Sequence, residues 1–485
     1  MDRQLEEAGF AASEAGQNGF SEALRNALGA DLVLTGDETA RYCSDWHGDV
    51  QCRAEAVLRP RTTEEVSACV RAAATLGLGI VPQGGNTGLV LGGVPDTPVA
   101  VVVLSLERMT RIRQIDPDDF SAVVEAGVML ETFKDEVSKA GLFFPLALGA
   151  QGSCQIGGNV STNAGGVNVL RYGMTRELVL GLEVVLPDGS VFSGLSQLRK
   201  DNRGIDLKQL FIGAEGTLGI ITAVSVKLLP RPEQVATALL ALESLDDAIR
   251  LYRRARHQCC DLMSAFEFMP PLALRLAQEG IPDLQLPMDA DHSAYVLMEI
   301  SGSGLVDIDD LMARFLEQVM EDGLVIDGVL AQSQAQAQNI WLIREGMNEG
   351  QAKRGKHLRT DVSVPLSKLA EFVAEAEAAV ASEMPDAICV SYGHVGDGNV
   401  HLNVLPDFEA GSAAIDAQIL KAKKIVNSVL DRYKGSISAE HGIGRLKKPD
   451  FDTRLPDTHR QLLTAIKRAV DPHWTMNPGC QIDRT

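Results

Sequence analysis

The chain is poor in cysteine. The eight present, at positions 43, 52, 69, 154, 259, 260, 389 and 480, form no CxxC pair and no regular spacing. A disulfide framework and a cysteine-held redox centre are therefore excluded, and a reducing compartment, the cytoplasm, is expected. Positive charge is scarce as well: 45 Lys and Arg against 65 Asp and Glu give a net charge of −20. Such a surface repels a phosphate backbone, so nucleic acid is a poor partner and anionic membrane surfaces are disfavoured. Long hydrophobic runs are missing too. The longest uncharged stretch, 140 to 170, is interrupted by seven glycines and by several Asn, Gln and Ser, so it reads as a loop-rich site and no transmembrane segment is expected. The opening MDRQLEEAGF has no basic segment followed by an apolar core, which argues against a signal or transit peptide. There is no GxGxxG after a strand, no GxxxxGK[ST] and no GxSxG, which removes the Rossmann fingerprint, the P-loop and the nucleophile elbow.

What remains is a globular chain of 485 residues, 45% hydrophobic and 23% charged, long enough for two or three packed units. Residues 1–40 read as an amphipathic helical segment. From 41 to 230 the pattern is α+β. A short strand, a Thr-capped helix with Glu64 and Glu65 in its first turn and a second strand open it, and Gly-rich connections separate the later strands. Past the Pro230-Arg231-Pro232 break, helices at 244–258, 306–321, 334–353, 367–382 and 413–433 alternate with strands at 294–300, 387–393 and 400–405, predicting a sheet covered by helices over 231–450. The segment 451–485, with a helix at 458–470, is expected to dock back on the first unit.

Two loops carry the first chemistry. PQGGNTG supplies Pro82, Gly84, Gly85, Asn86, Thr87 and Gly88; GSCQIGGNVSTNAGG supplies Ser153, Gly157, Gly158, Asn159, Thr162, Asn163 and Gly165. Glycines let backbone N–H groups converge on an anion, and Ser, Thr and Asn add neutral donors, a composition suited to the pyrophosphate of a dinucleotide.

SYGHVGDGNVHLNV (391–404) carries the second. Asp397-Gly398 is a two-residue hairpin signal, and a turn there sets His394 opposite His401, with Cβ atoms roughly 5 Å apart and Asn403 on the same face. Two facing imidazoles suit one metal ion, and Glu440 of SAEHGIG would complete a His2Glu set with an open position. Zinc is the first expectation; manganese, cobalt and iron stay open by ligand type. Arg344, after Trp341-Leu342-Ile343, offers a bidentate fork for a carboxylate.

These segments, together with LRYGMTRELVLGLEVVLPDGS (170–190) and LRKDNRGIDLKQLFIGAEGTLGIIT (198–222), resemble the vanillyl-alcohol oxidase/p-cresol methylhydroxylase superfamily, and within it the FAD-linked D-2-hydroxyacid dehydrogenases that act on D-2-hydroxyglutarate. The resemblance runs from about residue 40 to the C-terminus. It implies an α+β fold, a two-part FAD-binding domain beside a substrate domain with an antiparallel sheet. Covalent members of the superfamily carry a His at or near the first loop; Gly84, Gly85 and Asn86 stand there in this chain, which implies non-covalent FAD. Glu215, Gly219, Ile220 and Asn477 join the implied cofactor contacts. GHxGDGNxH with a later EHG implies His394, His401 and Glu440 as metal ligands and His441 as the general base. Arg344, Asn348, Arg359 and Asn403 are the implied substrate contacts, with Asn348 and Arg359 standing where the family has Ser/Thr and Lys. The implied reaction is hydride transfer from a D-2-hydroxy acid to flavin N5, with D-lactate or glycolate as the alternative substrate. The implied electron acceptor is a separate electron-transfer flavoprotein or quinone, and a homodimer is compatible with it. A flavin-free metallohydrolase is the rival from another class, but it leaves both glycine loops without a purpose.

Overall fold

The computed structural model describes residues 14–484; the part of the N-terminal helix expectation falling on 1–13 lies outside the described residues. The helix Glu14–Leu28 ends where Gly29 takes φ 88°, and 3-10 turns flanking a short strand, Val33–Leu34, follow. The α-helix of the N-terminal segment thus ends at Leu28, where a glycine of positive φ stops it, and the rest of the segment is 3-10 turn and short strand.

The first unit holds two main sheets and a two-stranded ribbon that pairs Leu142–Phe143 with Leu229–Pro230. In one, Ala56–Leu58, Val101–Ser105 and Gly79–Gln83 run parallel, with Val33–Leu34 antiparallel at the edge. The crossover between its strands is the helix Thr63–Thr75, capped as its sequence signals: the Thr62 hydroxyl accepts from Glu65 N at 3.2 Å. The other is a five-stranded antiparallel sheet, Ile112–Asp116, Ser121–Glu125, Ile220–Lys227, Val179–Val185 and Val191–Gly194 in spatial order.

The second unit is a seven-stranded, wholly antiparallel sheet. Its spatial order is Asp327–Leu330, Gln234–Leu242, Ala294–Gly302, Met263–Met269, Ile388–His394, Asn399–Leu405 and Val362–Ser363. Helices Leu245–Gln258, Ile308–Glu321, Leu369–Glu383 and Ser412–Arg432 bury their apolar stripes on one face, around Phe266, Phe315 and Phe372. Helices Pro271–Gly280 and Gln334–Arg354 cover the other, around Tyr295, Leu297 and Tyr392. These two helices touch through glycine: a Cβ on Gly350 would lie 1.9 Å from Leu276 O, and one on Gly280 2.2 Å from Gly346 O. That close crossing sets the depth at which Arg344 enters the sheet.

From Gly442 the chain returns to the first unit, ahead of residue 451. Arg445 N and Leu446 N donate to Val90 O at 2.9 and 3.2 Å, and Ile80 N donates to Thr475 O at 2.8 Å. Among the described residues no helix is long and apolar enough to cross a membrane.

Candidate active site

The two glycine loops face each other across a cleft. Pro82, Gly84, Gly85, Asn86, Thr87 and Gly88 line it from one side, and Gly157, Gly158, Asn159 and Thr162 from the other. Glu215, Gly219 and Ile220 close its end, with Gln155, Ser161 and Gly216, which the sequence reading passed over. Four expected cofactor residues stand behind this lining. The Ser153 carbonyl supports Gly85, and Asn163 Oδ1 accepts from Arg176 N at 2.9 Å. Gly165 abuts the Glu440 carboxylate, and Asn477 Nδ2 donates to Gly92 O (2.9 Å) and Glu215 O (2.6 Å).

The cleft fits a dinucleotide on two counts. Gln155 Oε1 and Asn159 Nδ2 are buried without a partner among the described residues, a state that folded proteins rarely leave uncompensated. The glycines also set the distance between loops: a Cβ on Gly85 would stand 2.0 Å from Ser153 O, and one on Gly157 2.5 Å from the Ala126 Cβ. Gly85→Ala therefore forces the loops apart, at a cost of about 1–3 kcal/mol. The purified variant is expected to carry well under one FAD per chain by flavin absorbance; full flavin content would contradict this account of the cleft.

Glu215 has a different employment from the flavin contact implied by the sequence. Its backbone is left-handed (φ 50°), and its carboxylate accepts from Ile443 N (2.8 Å), Gly444 N (2.7 Å) and Gln481 Nε2 (2.8 Å). It ties the flavin cleft to the turn that follows His441. Asp361 ties that turn from the other side, its Oδ2 accepting from Glu440 N at 3.0 Å and His441 N at 2.8 Å. His441 lines the same cleft as the glycine loops.

The histidine hairpin forms with a shifted register. The strands end at His394 and resume at Asn399, joined by a 3-10 turn, Val395–Asp397, and a left-handed Gly398 (φ 79°). Tyr392, not His394, therefore pairs with His401. A shift of two residues keeps every side chain on its face, so the imidazoles still meet, diagonally, with ring centroids 5.7 Å apart. His441 stacks on His401 at 5.9 Å and 21°.

Two of the imidazoles are hydrogen-bonded through Nδ1, and the third turns its Nδ1 toward a carboxylate. His394 Nδ1 lies 2.6 Å from Glu267 Oε1, His401 Nδ1 3.3 Å from Thr360 O and His441 Nδ1 3.6 Å from Asp361 Oδ2. Donation from Nδ1 leaves Nε2 free as a ligand or base, and His394 Nε2 is 3.7 Å from Glu440 Oε1. Glu440 Oε1 also accepts from Gly166 N at 2.9 Å, so the second glycine loop touches this cluster directly. Among the described residues, Asp361, His401 and His441 are the three whose ligand atoms lie within 4.8 Å of one another; His394 and Glu440 adjoin them. The two imidazole nitrogens and the carboxylate oxygen of that triad form a donor set that fits a divalent ion.

Burial and charge oppose each other here. Burial disfavours the cation at His394, but Glu267 and Glu440 overcome it and lift the group to about 9. Burial wins at His401, held at about 3, and also lowers His441. Burial would raise Asp361, yet His441, Lys447 and His401 hold it well below the usual carboxylate range.

The expected substrate residues surround this cluster unevenly. Arg344 is buried, its Nε donating to Glu267 Oε2 at 2.8 Å and its guanidinium 4.9 Å from the Tyr392 ring centroid. Asn348 is exposed and accepts from Tyr392 Oη at 2.6 Å. Arg359 is exposed and makes no hydrogen bond or ion pair among the described residues. Asn403 is buried and fully employed: Nδ2 donates to Gln351 Oε1 (2.9 Å) and Tyr392 Oη (3.2 Å), and Oδ1 accepts from Thr360 N (3.0 Å). It therefore supports the wall of the site instead of offering a free donor. Glu267, Asp361, Thr360 and Tyr392 escaped the sequence reading; the lone acidic residue in the apolar run MSAFEFM was the available sign for Glu267.

A two-part flavin-binding unit whose cleft abuts a histidine cluster on an antiparallel sheet is the architecture of an FAD-linked oxidoreductase, and the comparisons agree. Residues 54–194 match the FAD binding domain family, and residues 231–480 match the C-terminal domain of FAD linked oxidases. The mitochondrial D-2-hydroxyglutarate dehydrogenase of Bos taurus is 40% identical over 94% of this chain and 82% of that protein. The D-2-hydroxyglutarate–pyruvate transhydrogenase of Saccharomyces cerevisiae is 35% identical over 94% and 92%. Among solved structures, p-cresol methylhydroxylase superposes with a TM-score of 0.78 over 98% of both chains; at 17% identity it speaks to the fold alone. The chain belongs to the FAD-linked D-2-hydroxyacid dehydrogenases, and its fold is that of p-cresol methylhydroxylase. It is an FAD-dependent hydroxyacid dehydrogenase.

Proposed function

We propose that the chain oxidises D-2-hydroxyglutarate to its 2-oxo acid, with His441 as the base. The observation that carries this reading is the position of His441, which lines the flavin cleft while stacking on His401. Only a group on that boundary can take a proton from a substrate whose hydride leaves toward the cleft. FAD, bound non-covalently between the glycine loops, supplies the hydride acceptor. A divalent ion, zinc in the first instance, held by His394, His401 and Glu440, would supply Lewis acidity at the substrate's hydroxyl and carboxylate oxygens.

The chain's own residues do the rest. His441 takes the hydroxyl proton at Nε2, since Nδ1 faces Asp361. Arg344, with Nε engaged by Glu267, presents its Nη groups to the carboxylate next to the reacting carbon. Arg359 is free to meet a second carboxylate, which favours a dicarboxylic substrate over D-lactate or glycolate. The relatives' names support the same choice. Electrons then pass to a separate electron-transfer flavoprotein or a quinone. The eight free cysteines suit the cytoplasm, whereas the bovine relative is mitochondrial by name.

The test is anaerobic mixing with D-2-hydroxyglutarate, D-lactate and D-malate, with and without prior chelation, while flavin absorbance is followed. D-2-hydroxyglutarate is expected to bleach the flavin fastest and chelation to abolish the bleaching. Faster bleaching by D-lactate would overturn the role of Arg359, and bleaching unaffected by metal removal would overturn the metal's.

A further inference from the structure

Glu267 is 1% exposed, in the middle strand of the seven-stranded sheet, among Met269, Leu297 and Tyr392. A carboxylate there is costly unless both oxygens are satisfied. Each oxygen has its own donor: Oε1 takes His394 Nδ1 at 2.6 Å, from the neighbouring strand, and Oε2 takes Arg344 Nε at 2.8 Å, from the covering helix. We propose that Glu267 is a positioning residue which fixes the ligand face of His394 and the carboxylate fork of Arg344 at once. This rests on the roles given above to His394 and Arg344.

The argument is one of acceptor count. Holding Nδ1 turns the Nε2 side of His394 toward Glu440, and holding Nε leaves the Nη pair of Arg344 free. Only a carboxylate of this length offers an acceptor to each of two donors. Glutamine has one oxygen and one NH2 group. Its oxygen goes to the charged Arg344, the stronger donor, and its NH2 then faces Nδ1. The imidazole must accept there and carry its proton on Nε2, where a metal ion would bind.

The nearby Glu299, also on this sheet, supplies the control. Its carboxylate accepts from Trp341 Nε1 (2.9 Å) and Ser264 Oγ (2.8 Å) and touches no residue of the site. The experiment titrates Zn2+ against a chromophoric chelator in metal-stripped, flavin-replete enzyme, comparing wild type, Glu267→Gln, Glu299→Gln and His394→Asn. Glu267→Gln is expected to weaken Zn2+ binding by roughly 10- to 100-fold at unchanged FAD content, with Glu299→Gln at the wild-type value. Should Glu267→Gln not fold, Glu267→Asp keeps the charge but is too short to span both donors, and the same loss is expected. A folded Glu267 variant binding Zn2+ like wild type, while His394→Asn has lost it, overturns the proposal alone. Unchanged binding in His394→Asn overturns the ligand assignment and the proposal with it.

Discussion

Replacing His441 with Asn is expected to lower kcat by a factor on the order of 10² to 10⁴ while the purified protein keeps its flavin. The flavin should stay because the turn is held through its backbone and not through the imidazole. Asp361 accepts from Glu440 N and His441 N, and Glu215 accepts from Ile443 N and Gly444 N. Gly442, left-handed at φ 83°, allows this close approach: a Cβ there would lie 2.7 Å from Glu215 Oε1. Asparagine therefore deletes a ring that the scaffold does not need. The variant's metal content separates two roles. Lost turnover with metal retained is the signature of a base. Lost turnover with metal also lost would make His441 a ligand, in the company of Asp361 and His401, whose ligand atoms lie within 4.8 Å of it. Turnover close to wild type would remove His441 from both roles.

What the sequence revealed and what it hid follow from period and distance. The glycine loops were legible because backbone approach and neutral donors leave a compositional trace in a few adjacent residues. The paired histidines were legible because they sit seven residues apart on one hairpin; even a two-residue error in register preserved their common face. Gln234–Leu242 was not recognised as a strand. QVATALLAL is buried from Ala236 to Leu242 by helices on both faces, so it shows no alternation, and its Ala and Leu content favours helix. Glu267 and Asp361 were hidden for another reason. Each acts on partners 77 to 127 residues away, His394 and Arg344 for Glu267 and His441 for Asp361, and no local pattern records such pairs. The same holds for Glu215, whose sequence setting placed it correctly at the cleft but could not show that its carboxylate reaches 228 residues ahead to Ile443.

Lys467→Met is expected to destabilise the protein by about 3–5 kcal/mol, read from the midpoint of denaturant unfolding. Lys467 is 3% exposed on the helix Asp457–Val470, and its Nζ donates to Asp471 Oδ2 (2.6 Å), Thr217 O (2.6 Å) and Met476 O (2.9 Å). Asp471 is fully buried and accepts in turn from Thr475 N (3.1 Å) and Met476 N (2.8 Å). Methionine fills the space of the lysine stem but leaves that carboxylate ionised without its cation, which is the costly half of breaking a buried pair. Asp471→Asn in the same chain removes the stranded charge and keeps an acceptor for Thr475 N, so the double variant should regain most of the loss. Full additivity of the two substitutions would mean that they do not act on one another. The clasp also bears on the site. Thr217 and Glu215 share the turn that closes the cleft, and Asn477, three residues past the clasped tail segment's Trp474, donates to Glu215 O and Gly92 O. Loosening the tail should thus lower FAD retention in step with stability, and a Lys467→Met protein that is destabilised yet binds FAD as tightly as wild type would show that the tail and the cleft are independent.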